Sequence, residues 1–310
     1  MITVLAGGIG AAKFLEGLAA VLPPEEITVI VNTGDDAEFH GLRVSPDLDT
    51  ILYTLAGVVN RESGWGIAGD TFHALEALER LGTETWFRLG DRDLATHLYR
   101  TRRLREGSTL AEVSRELCRG FGVRATILPM SNDPAPTRLR TAAGWLSFQE
   151  YFVKLRQEPE VRAVDLSAAE RSRPAPGVIE AVQKAQGVIL APSNPIISIG
   201  PILAVPGIRE ALRCTAAPVA AISPLVGGKA LKGPADRMMR SLGFGASAAA
   251  VAERYRDFVD LFVLDEQDAA LQTEVRSKGM TTLVAPTIMN SSQAKRFLAG
   301  LLLDALQVRR

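Results

Sequence analysis

The sequence predicts an α/β protein built on a Rossmann-like, doubly wound and mostly parallel sheet with helical insertions. Three observations support this fold class. Short, continuous apolar runs alternate with helical patterns along most of the chain, as they do where helices cover both faces of a parallel sheet. The chain opens with a strand, a glycine turn, a helix and a second strand, which is the start of a βαβ unit. Its 310 residues suffice to bury the core of one large domain.

The first half of the chain contains the opening βαβ unit and the elements that follow it. Apolar runs predict strands at 2–6, 27–31, 85–89 and 125–130. Apolar residues at helical spacing predict a helix that ends at Leu22 and further helices at 49–59, 70–82, 93–107 and 108–122. Pro23 and Pro24 end the first helix, and Ser108 is the predicted N-cap of the last. The stretch 144–156 mixes strand and helix signals.

The second half returns to a regular alternation of strands and helices. Strands are predicted at 187–192, 218–224, 261–265 and 281–286. Helices are predicted at 176–186, 206–214, 233–243, 247–258 and 291–306, with one more between the last two strands. We therefore treat residues 1–310 as a single domain, and we place a helical or inserted subregion around residues 90–175.

The charge balance and the two cysteines argue against several classes of function. Lys plus Arg and Asp plus Glu both number 35, so the net charge is zero, whereas a general nucleic-acid binder usually shows a basic excess. Cys118 and Cys214 are too far apart in sequence for a metal motif or a disulfide framework, which fits a reducing cytosol. The N-terminus does not resemble a signal peptide, and no apolar run reaches the roughly 18 residues of a membrane span. We expect a cytoplasmic protein without nucleic-acid or membrane partners.

A glycine-rich turn follows the first strand in the stretch LAGGIGAAKF. Gly7, Gly8 and Gly10 would let the backbone approach a phosphate group, and the start of the following helix supplies free N–H groups. Lys13 would add a formal positive charge. The spacing matches neither the dinucleotide-binding pattern nor the P-loop, so a tight strand-to-helix turn is the alternative. The position favours phosphate binding, because ligands of doubly wound folds lie at the carboxyl ends of the strands.

Four aspartates fall in two pairs within NTGDDAEFHGLRVSPDLDT, directly after the second strand. Asp35 and Asp36 leave the end of that strand, and Asp47 and Asp49 would share one side of an extended segment. Carboxylate oxygens suit Mg²⁺, which usually bridges to substrate phosphates. One alternative is a solvated acidic loop, and Asp49 or Thr50 would also serve as a helix N-cap. Together with the glycine turn, the cluster predicts a nucleotide or diphosphate substrate with a divalent metal.

Polar clusters also follow later strands. They comprise Asp91, Arg92, Asp93 and His97 after 85–89, Ser131, Asn132 and Asp133 after 125–130, Ser193 and Asn194 after 187–192, and Gly228, Lys229 and Lys232 after 218–224. Each cluster alone is ordinary turn chemistry. Because the carboxyl ends of parallel strands lie along one edge of a sheet, we expect the clusters to converge on a cleft. Trp65, Trp86 and Trp145 are expected in the core, with stacking on a ring system as the alternative.

At these strand ends the sequence resembles the 2-phospho-L-lactate transferases of coenzyme F420 biosynthesis, called CofD in archaea and FbiA in actinobacteria. The matching stretches, in family order, are LAGGIGAAKFLEGL, VNTGDDAEFHGLRVSPDLDT, WGIAGDTFHALEAL, WFRLGDRDLATHL, LAPSNPIISIGPIL and ISPLVGGKALKGPAD. Jointly they extend to about residue 236 and are highly specific. The YvcK-like nucleotide-sugar-binding regulators are the alternative. They share the glycine turn and part of the fold, but not GDRDLATH or PDLDT in this form.

The resemblance implies a reaction. The family transfers a three-carbon phospho-acid from its guanosine-diphospho donor to the deazaflavin Fo, and GMP leaves. The acid is 2-phospholactate, or phosphoenolpyruvate in bacteria, and the product is F420-0 or its dehydro form. Magnesium is required, and members are usually homodimers. We therefore expect a transferase with Mg²⁺ as its cofactor and two small-molecule substrates, and no residue in the sequence decides among the three-carbon acids.

The resemblance also implies roles for particular residues. Asp49 and Arg92 would contact Fo, and Asp49, with Asp47 as the second catalytic candidate, would accept the proton of the attacking hydroxyl. The metal candidates are Asp35, Asp36, Asp47 and Asp49. The nucleotide and diphosphate candidates are Gly7, Gly8, Gly10, Lys13, Ser193, Asn194, Gly228, Lys229 and Lys232. The stretch MSND departs from the Thr-Asp that we expect of the family after Met, so this loop is left out of the metal set.

Overall fold

A computed structural model describes residues 1–307, and residues 308–310 of the predicted domain lie outside the described residues. Seven strands form a central sheet in which every neighbouring pair runs parallel. Helices cover both faces of this sheet, and small antiparallel sheets accompany it. The predicted Rossmann-like α/β fold class is confirmed.

The elements of the described residues are numbered in chain order. The strands are β1 (Ile2–Ala6), β2 (Ile27–Val31), β3 (Ala37–Phe39), β4 (Leu42–Val44), β5 (Thr126–Pro129), β6 (Arg138–Thr141), β7 (Gly144–Ser147), β8 (Ala163–Asp165), β9 (Gly187–Leu190), β10 (Val219–Ile222), β11 (Leu225–Val226), β12 (Lys229–Ala230), β13 (Leu261–Leu264) and β14 (Thr281–Val284). The helices are α1 (Gly8–Ala19), α2 (Pro46–Leu55), α3 (His73–Arg80), α4 (Asp91–Arg105), α5 (Leu110–Gly120), α6 (Ser167–Glu170), α7 (Val178–Gln183), α8 (Ile199–Ala204), α9 (Ile208–Cys214), α10 (Ala235–Ser241), α11 (Ala248–Glu253), α12 (Gln272–Arg276) and α13 (Ser292–Ala305).

The order of the central strands creates a switch point beside β1. Along the sheet the order is β14-β13-β10-β9-β1-β2-β5. The chain winds outward from β1 through β2 to β5, returns to the other side of β1 as β9, and then winds in the opposite direction. In doubly wound sheets the ligand crevice lies at such a reversal, outside the carboxyl ends of the strands. The turns after β1 and β9 therefore border the expected crevice.

Alternate residues of the central strands face opposite layers of helices. In β1, Val4 packs into the layer that contains α1, α2, α5 and α13, whereas Leu5 packs into the layer that contains α7 to α11. Both side chains are fully buried, as expected for a parallel sheet that is covered on both faces. None of the helices within residues 1–307 combines the length and apolar character needed to cross a bilayer.

The predicted strand at 85–89 is wrong. The described structure has no strand there, and the aromatic side chains of this stretch pack against the β3–β4 hairpin instead. Phe87 stacks on Phe39 with ring centroids 3.9 Å apart, and Trp86 meets the same ring edge-on at 5.2 Å. Apolar composition alone does not distinguish such a loop from a short strand, because both bury aromatic rings.

Several helix starts differ from the prediction, and two of them have a clear local cause. The N-cap of α5 is Thr109 rather than Ser108, because the Thr109 hydroxyl accepts from the Glu112 N–H while the Glu112 carboxylate accepts from the Thr109 N–H. Helix α2 begins earlier than predicted, so Asp47 and Asp49 lie in its first turn and not in an extended segment. A proline at the first helical position and acidic residues near the positive end of the helix dipole both favour this early start.

The subregion around residues 90–175 contains both helices and strands. It includes α4, α5 and the central strand β5, and then a three-stranded antiparallel sheet in the order β7-β6-β8. The mixed signals of 144–156 correspond to β7 followed by a π-helical segment at Glu150–Lys154. The interpretation of this subregion as an insertion stays a prediction, as does the single-domain boundary.

Gly10 offers a test of how closely α1 packs on the turn after β9. A Cβ atom at Gly10 would lie 2.2 Å from the carbonyl oxygen of Pro192, a backbone atom that cannot easily move aside. We expect Gly10→Ala to lower the free energy of unfolding by about 1–3 kcal/mol, the usual cost of overpacking. Urea unfolding followed by circular dichroism measures this change.

Gly120, at the end of α5, provides the matched control. Among the described residues, a Cβ atom there would meet nothing within 4 Å. Because alanine favours a helix over glycine by up to about 1 kcal/mol, Gly120→Ala should leave the stability unchanged or raise it. Equal destabilisation by the two substitutions would show that Gly10 is not in close contact.

Candidate active site

The turns after the central strands line one cavity of about 530 Å³ at the carboxyl edge of the sheet. Most residues that the sequence predicts for a site contribute to its wall: Gly7, Gly8, Gly10, Lys13, Asp35, Asp47, Asp49, Ser193, Asn194 and Lys232. They come from the turns after β1, β2 and β9, from the start of α2 and from the segment after β12. The parallel topology therefore brings together side chains that are distant in sequence.

The glycine turn is held against the acidic segment. A Cβ atom at Gly7 would lie 2.7 Å from Asp47 Oδ2, so glycine is required at this position. Gly8 has a φ of 73°, in the left-handed region that favours glycine. Its N–H donates to Asp47 Oδ1 at 2.7 Å, and the Gly7 N–H donates to Ser193 Oγ at 3.4 Å. The turn thus connects β1, α2 and the loop after β9.

Two lysines supply positive charge to the cavity wall. Burial lowers the pKa of Lys13, and the neighbouring charges of Lys232 and Lys295 lower that pKa further. Lys232 lines the cavity, and its ammonium group donates to the Ser63 carbonyl oxygen at 3.4 Å. Ammonium groups that repel each other beside a cavity favour an anion between them. This side of the cavity therefore suits a phosphate group.

Asp35 and Asp47 form a buried pair of carboxylates. The amide of Asn32, at the end of β2, donates to Asp35 Oδ1 at 3.4 Å and to Asp47 Oδ2 at 2.9 Å. The Asp47 N–H donates to Asp35 Oδ2 at 3.1 Å. Burial raises the pKa of Asp35 well above its usual range, and the charges of Asp47 and Asp36 raise it further. Burial also raises the pKa of Asp47 to about 6, against the opposing hydrogen bonds from Asn32 and Gly8.

Asp36 belongs to the same acidic segment but does not contribute to the cavity wall. Its Oδ2 accepts from the Ser45 hydroxyl at 2.9 Å, and burial raises its pKa to about 7. Its Oδ1 is buried without a hydrogen-bond partner in the part of the chain that the structure describes. Since Ser45 is the N-cap residue of α2, Asp36 helps to fix the start of that helix.

Asp49 pairs one carboxylate oxygen with a buried arginine and leaves the other unpaired. Its Oδ1 accepts from Arg100 Nη2, and both side chains are almost fully buried. Its Oδ2 lies 3.8 Å from His97 Nδ1 and has no hydrogen-bond partner within residues 1–307. Asp49 lines the cavity, and its buried Oδ2, which has no donor, is the candidate acceptor for a substrate hydroxyl group or the candidate ligand for a cation.

Behind Asp49, α4 contributes a row of buried polar groups. Arg100 Nη1 lies 3.1 Å from His97 Nδ1, His97 Nε2 lies 3.1 Å from Asp93 Oδ1, and the Tyr53 hydroxyl donates to the same oxygen at 2.7 Å. An arginine N–H can only donate, so His97 Nδ1 accepts and the ring proton is on Nε2. Arg100 is not among the site residues predicted from the sequence. Its spacing of seven and three residues from Asp93 and His97, which places all three on one helix face, is the signal that could have identified it.

The stretch GDRD positions α4 through a reciprocal cap with α3. The Asp70 carboxylate accepts from two N–H groups in the first turn of α4, at 2.8 and 3.0 Å. The Asp91 carboxylate accepts from two N–H groups at the start of α3, both at 3.0 Å. A Cβ atom at Gly90 would lie 2.1 Å from Asp70 Oδ2, so the cap also requires this glycine. Asp91 therefore orients helices and does not line the cavity.

An aromatic wall, which we define as the five aromatic rings beside the acidic segment, lines another part of the cavity. It consists of Trp65, Trp86, Phe87, Phe148 and Phe152. Phe148 and Phe152 stack with ring centroids 5.3 Å apart. The prediction that the tryptophans lie in the core is wrong, because Trp65 is 42% exposed at the cavity and Trp145 is 43% exposed elsewhere. In a sequence, apolar side chains that line the opening of a cavity have the same pattern as side chains in the core.

Three other predicted site residues lie outside the cavity wall. Arg92 is exposed on α4, and its guanidinium donates to a backbone carbonyl oxygen at 3.4 Å. Gly228 and Lys229 belong to the β11–β12 hairpin, where Lys229 is exposed. Arg88, which is not among the predicted site residues, lines the cavity, and its guanidinium carbon lies 4.2 Å from the centre of the Phe72 ring. The position of Arg88 just before the polar stretch GDRD is the sequence feature that could have identified it.

The MSND loop has a structural role outside the cavity wall. Asn132 Oδ1 accepts from the Ala111 N–H at 2.9 Å, in the first turn of α5. The Ser131 hydroxyl donates to the Arg173 carbonyl oxygen at 2.6 Å. Asparagine at position 132 is therefore explained by helix capping, and leaving this loop out of the metal set agrees with its position.

The acidic residues fit a hard cation that is shared with a substrate. Mg²⁺ usually takes one or two carboxylates together with substrate phosphates and water. Asp35, Asp47 and Asp49 line the same cavity, and Asp49 Oδ2 is unpaired among the described residues. Within residues 1–307, no three His, Cys, Asp or Glu side chains are grouped closely enough to hold a metal ion by themselves. The donor set therefore suits a cation completed by a bound phosphate, not a closed protein site.

Comparison with known families identifies the chain. A family model described as 2-phospho-L-lactate transferase CofD matches residues 2–295. The chain belongs to the CofD family. A CofD family relative from Methanosarcina mazei, named 2-phospho-L-lactate transferase, is 41% identical over 302 residues, which cover 97% of this chain and 99% of that protein. A relative from Streptomyces coelicolor, named phosphoenolpyruvate transferase, is 44% identical over 304 residues, which cover 96% of this chain and 95% of that protein.

A solved structure supports the fold of this CofD family member. The crystal structure of a member of the UPF0052 family from Bacillus halodurans has a TM-score of 0.68 to this chain at 16% sequence identity. The match covers 97% of this chain and 98% of that chain. At this identity the similarity shows a shared fold and carries no argument about ligands.

The buried carboxylates should make the stability of the protein depend on pH. In the folded chain the pKa of Asp36 is about 7 and that of Asp47 about 6, against an ordinary value of 3.8. At any pH between the ordinary pKa and the folded-state pKa of either group, the folded state binds more protons than the unfolded state. The free energy of unfolding therefore falls as the pH rises through this range. We expect this fall for the metal-free protein from about pH 4 to about pH 7, on the order of 1.4 kcal/mol per unit of pKa difference.

Asp36→Asn tests the origin of this dependence. The asparagine oxygen can still accept from Ser45 but cannot ionise, so urea unfolding in the presence of a chelator should show a smaller fall across the same pH range. Asp133→Asn is the control, because the Asp133 side chain is 41% exposed and should retain the wild-type dependence. An Asp36→Asn variant as pH-dependent as the wild type contradicts the assignment.

Proposed function

We propose that this CofD family member transfers a three-carbon phospho-acid from its guanosine-diphospho donor to a hydroxyl group of the deazaflavin Fo, with release of GMP. One observation carries the proposal: a lysine-bearing glycine turn, an acid cluster and an aromatic wall line a single cavity at the switch point of the sheet. The names of the relatives, 2-phospho-L-lactate transferase and phosphoenolpyruvate transferase, support the same class of reaction.

The glycine turn and the lysines suit the diphosphate of the donor. The positive end of the α1 dipole favours an anion at this turn, although the Gly7 and Gly8 N–H groups are bonded to Ser193 and Asp47, and Lys13 and Lys232 add formal charge. Ser193 and Asn194 border the same space, and Asn194 Nδ2 is buried without a partner among residues 1–307. We assign the guanosine diphosphate to this side of the cavity, with the neighbouring hairpin that carries Lys229 flanking it.

The aromatic wall suits the flat deazaflavin ring. Aromatic systems gain stability from offset stacking and edge-to-face contact, and the five rings offer both. Arg88 adds a cation to this part of the wall. Asp49 lines the same cavity and has an unpaired oxygen to accept a hydrogen bond from the attacking hydroxyl of Fo. We therefore assign Fo to the side of the cavity between the rings and α2.

Asp49 is the proposed general base. As a bond forms between the Fo oxygen and the phosphorus of the phospho-acid, the bond from that phosphorus to the GMP oxygen breaks, and the hydroxyl proton moves to Asp49. Phosphoryl transfer needs mainly positioning and neutralisation of charge. Asp47 already accepts from Gly8 and Asn32, so it holds the glycine turn in place.

Mg²⁺ is the proposed cofactor. Asp35, Asp47 and Asp49 are the carboxylates in the cavity wall that would hold it, with Asp36 adjacent. When bound, Mg²⁺ neutralises negative charge on the donor diphosphate. The family resemblance further supports a cytoplasmic homodimer, which we include in the proposal. Small molecules are its only proposed substrates.

Transfer to Fo tests the proposed function directly. Purified protein is supplied with Fo, Mg²⁺ and, in separate reactions, guanosine-diphospho donors that carry phospholactate, enolpyruvate or phosphoglycerate. We expect a deazaflavin product with one added phospho-acid, together with GMP, and no product in the presence of a chelator. Mass spectrometry of the product identifies the acid.

Asp49→Asn tests the catalytic assignment in the same assay. Loss of a general base lowers kcat by about 10²- to 10⁴-fold. Because the substitution removes the carboxylate that compensates the buried Arg100, circular dichroism and thermal unfolding check that the variant is folded. Asp133→Asn, outside the cavity, serves as the control. Wild-type protein that leaves Fo unchanged with all three donors, yet binds a nucleotide sugar in calorimetry, would favour the regulator alternative and overturn the proposal.

The sequence resemblance predicts that Arg92 contacts Fo. Arg92 lies outside the cavity wall, however, whereas Arg88 lines the cavity. An arginine that meets the substrate contributes on the order of 1.5–3 kcal/mol through charged hydrogen bonds, which corresponds to at least a tenfold change in binding. We expect Arg88→Ala to raise the KM for Fo about tenfold or more, and to exceed the effect of Arg92→Ala. Steady-state kinetics of both variants decide, and a larger effect at Arg92 restores the original assignment.

A further inference from the structure

We infer that Arg100 is a positioning residue for the transfer reaction, because it binds Oδ1 of Asp49 and leaves Oδ2 without a donor. The inference rests on the proposed function, in which Asp49 receives the proton of the attacking hydroxyl. Arg100 lies behind Asp49 and does not itself line the cavity. It therefore acts on the substrate only through Asp49.

The burial of Arg100 requires a specific partner. Its side chain is 1% exposed, and a buried charge without compensation costs several kcal/mol. Within residues 1–307, Asp49 is the only carboxylate in ion-pair contact with it. Asp49 is equally dependent on this contact, because its carboxylate is also buried. Each of the two charges is therefore placed by the other.

The planar shape of the guanidinium fixes the direction of the contact. Nη2 donates to Asp49 Oδ1, while Nη1 lies 3.1 Å from His97 Nδ1 and 3.4 Å from the carbonyl oxygen of Arg43 in β4. A planar guanidinium group whose two Nη atoms are both in contact with partners cannot rotate freely. Lysine has a single ammonium nitrogen and would not be oriented in this way. Asp49 Oδ1 is thereby fixed, and the position of Oδ2 follows.

The network returns to the helix that carries Asp49. His97 Nε2 lies 3.1 Å from Asp93 Oδ1, and this oxygen accepts from the Tyr53 hydroxyl at 2.7 Å. Tyr53 lies one turn after Asp49 on α2. The polar groups thus lie in a ring between α2 and α4. Two hydrogen bonds, from Arg100 to Asp49 and from Tyr53 to Asp93, join the two helices, whereas His97 Nε2 approaches Asp93 without a hydrogen-bond partner among the described residues.

The ring fits a role in orientation better than a role in general stability. Replacing a buried ion pair by apolar side chains is often neutral or stabilising, so stability alone does not account for buried charges at this place. Arg103, one turn later on α4, shows the contrast. It pairs with Glu116 at 2.9 Å and Glu106 at 2.8 Å on a partly exposed surface, where such pairs contribute little.

Arg100→Ala is the first test, with Arg103→Ala as the matched control on the same helix. A misplacement of about 1 Å at a reacting group costs about 10²-fold in rate, so we expect kcat to fall by that factor in Arg100→Ala. The KM for the guanosine-diphospho donor should change little, because the glycine turn is not affected. Arg103→Ala should keep the wild-type kcat. Thermal unfolding confirms that both variants are folded.

A double-mutant cycle separates positioning from a structural role. If Arg100 acts only through Asp49, then Arg100→Ala should have little further effect on kcat in an Asp49→Asn background. Added guanidinium ion should restore part of the kcat of Arg100→Ala, and none in the double variant. A residue with a merely structural role would slow both backgrounds alike.

The outcomes distinguish the inference from the proposed function. If Arg100→Ala fails to fold, Arg100→Lys decides, because it keeps the charge and loses the fork, and a folded protein with roughly tenfold lower kcat is then expected. A folded Arg100→Ala or Arg100→Lys variant as active as Arg103→Ala overturns the inference, as do equal losses in both backgrounds. Absence of transfer by the wild-type chain instead overturns the proposed function, and the inference with it, before any variant is compared.

Discussion

The burial of four carboxylates around the first turn of α2 is the constraint on which the site depends. Buried like charges repel each other and stay in place only if each receives donors or positive charge. The donors come from different elements: the Asn32 amide after β2, the Gly8 N–H of α1, the Ser45 hydroxyl and the Arg100 guanidinium of α4. Satisfying the acids therefore joins these elements around one cavity.

The glycine turn serves the acidic segment as well as any phosphate. Asp47 Oδ2 occupies the space where a side chain at Gly7 would lie, and the Gly8 N–H is already bonded to the same carboxylate. Part of the glycine requirement is therefore internal to the protein. This internal role is consistent with a spacing that matches neither of the familiar phosphate-binding patterns.

The sequence predicts the central sheet well because strands buried on both faces are continuous apolar runs, as in β1 and β2. It predicts less where burial is decided by distant partners. The stretch that contains Trp86 and Phe87 has the apolar pattern of a strand, but these two side chains line the cavity. Arg100 stands among other arginines of α4. Its spacing from Asp93 and His97 indicates a shared helix face, but its pairing with Asp49, 51 residues away in sequence, is visible only in the structure. Local pattern contains no information about that contact.

Within the stretch GDRDLATH, helix geometry divides the polar residues by role. Asp91 caps α3, and the exposed Arg92 points away from the buried network, whereas Asp93 and His97 share the face that meets α2. Since side chains four residues apart lie on one side of a helix, this division follows from the start of α4 alone. That start is set by the Asp70 cap. A family-matching stretch thus combines residues that shape the helix with residues that support the carboxylate at the cavity.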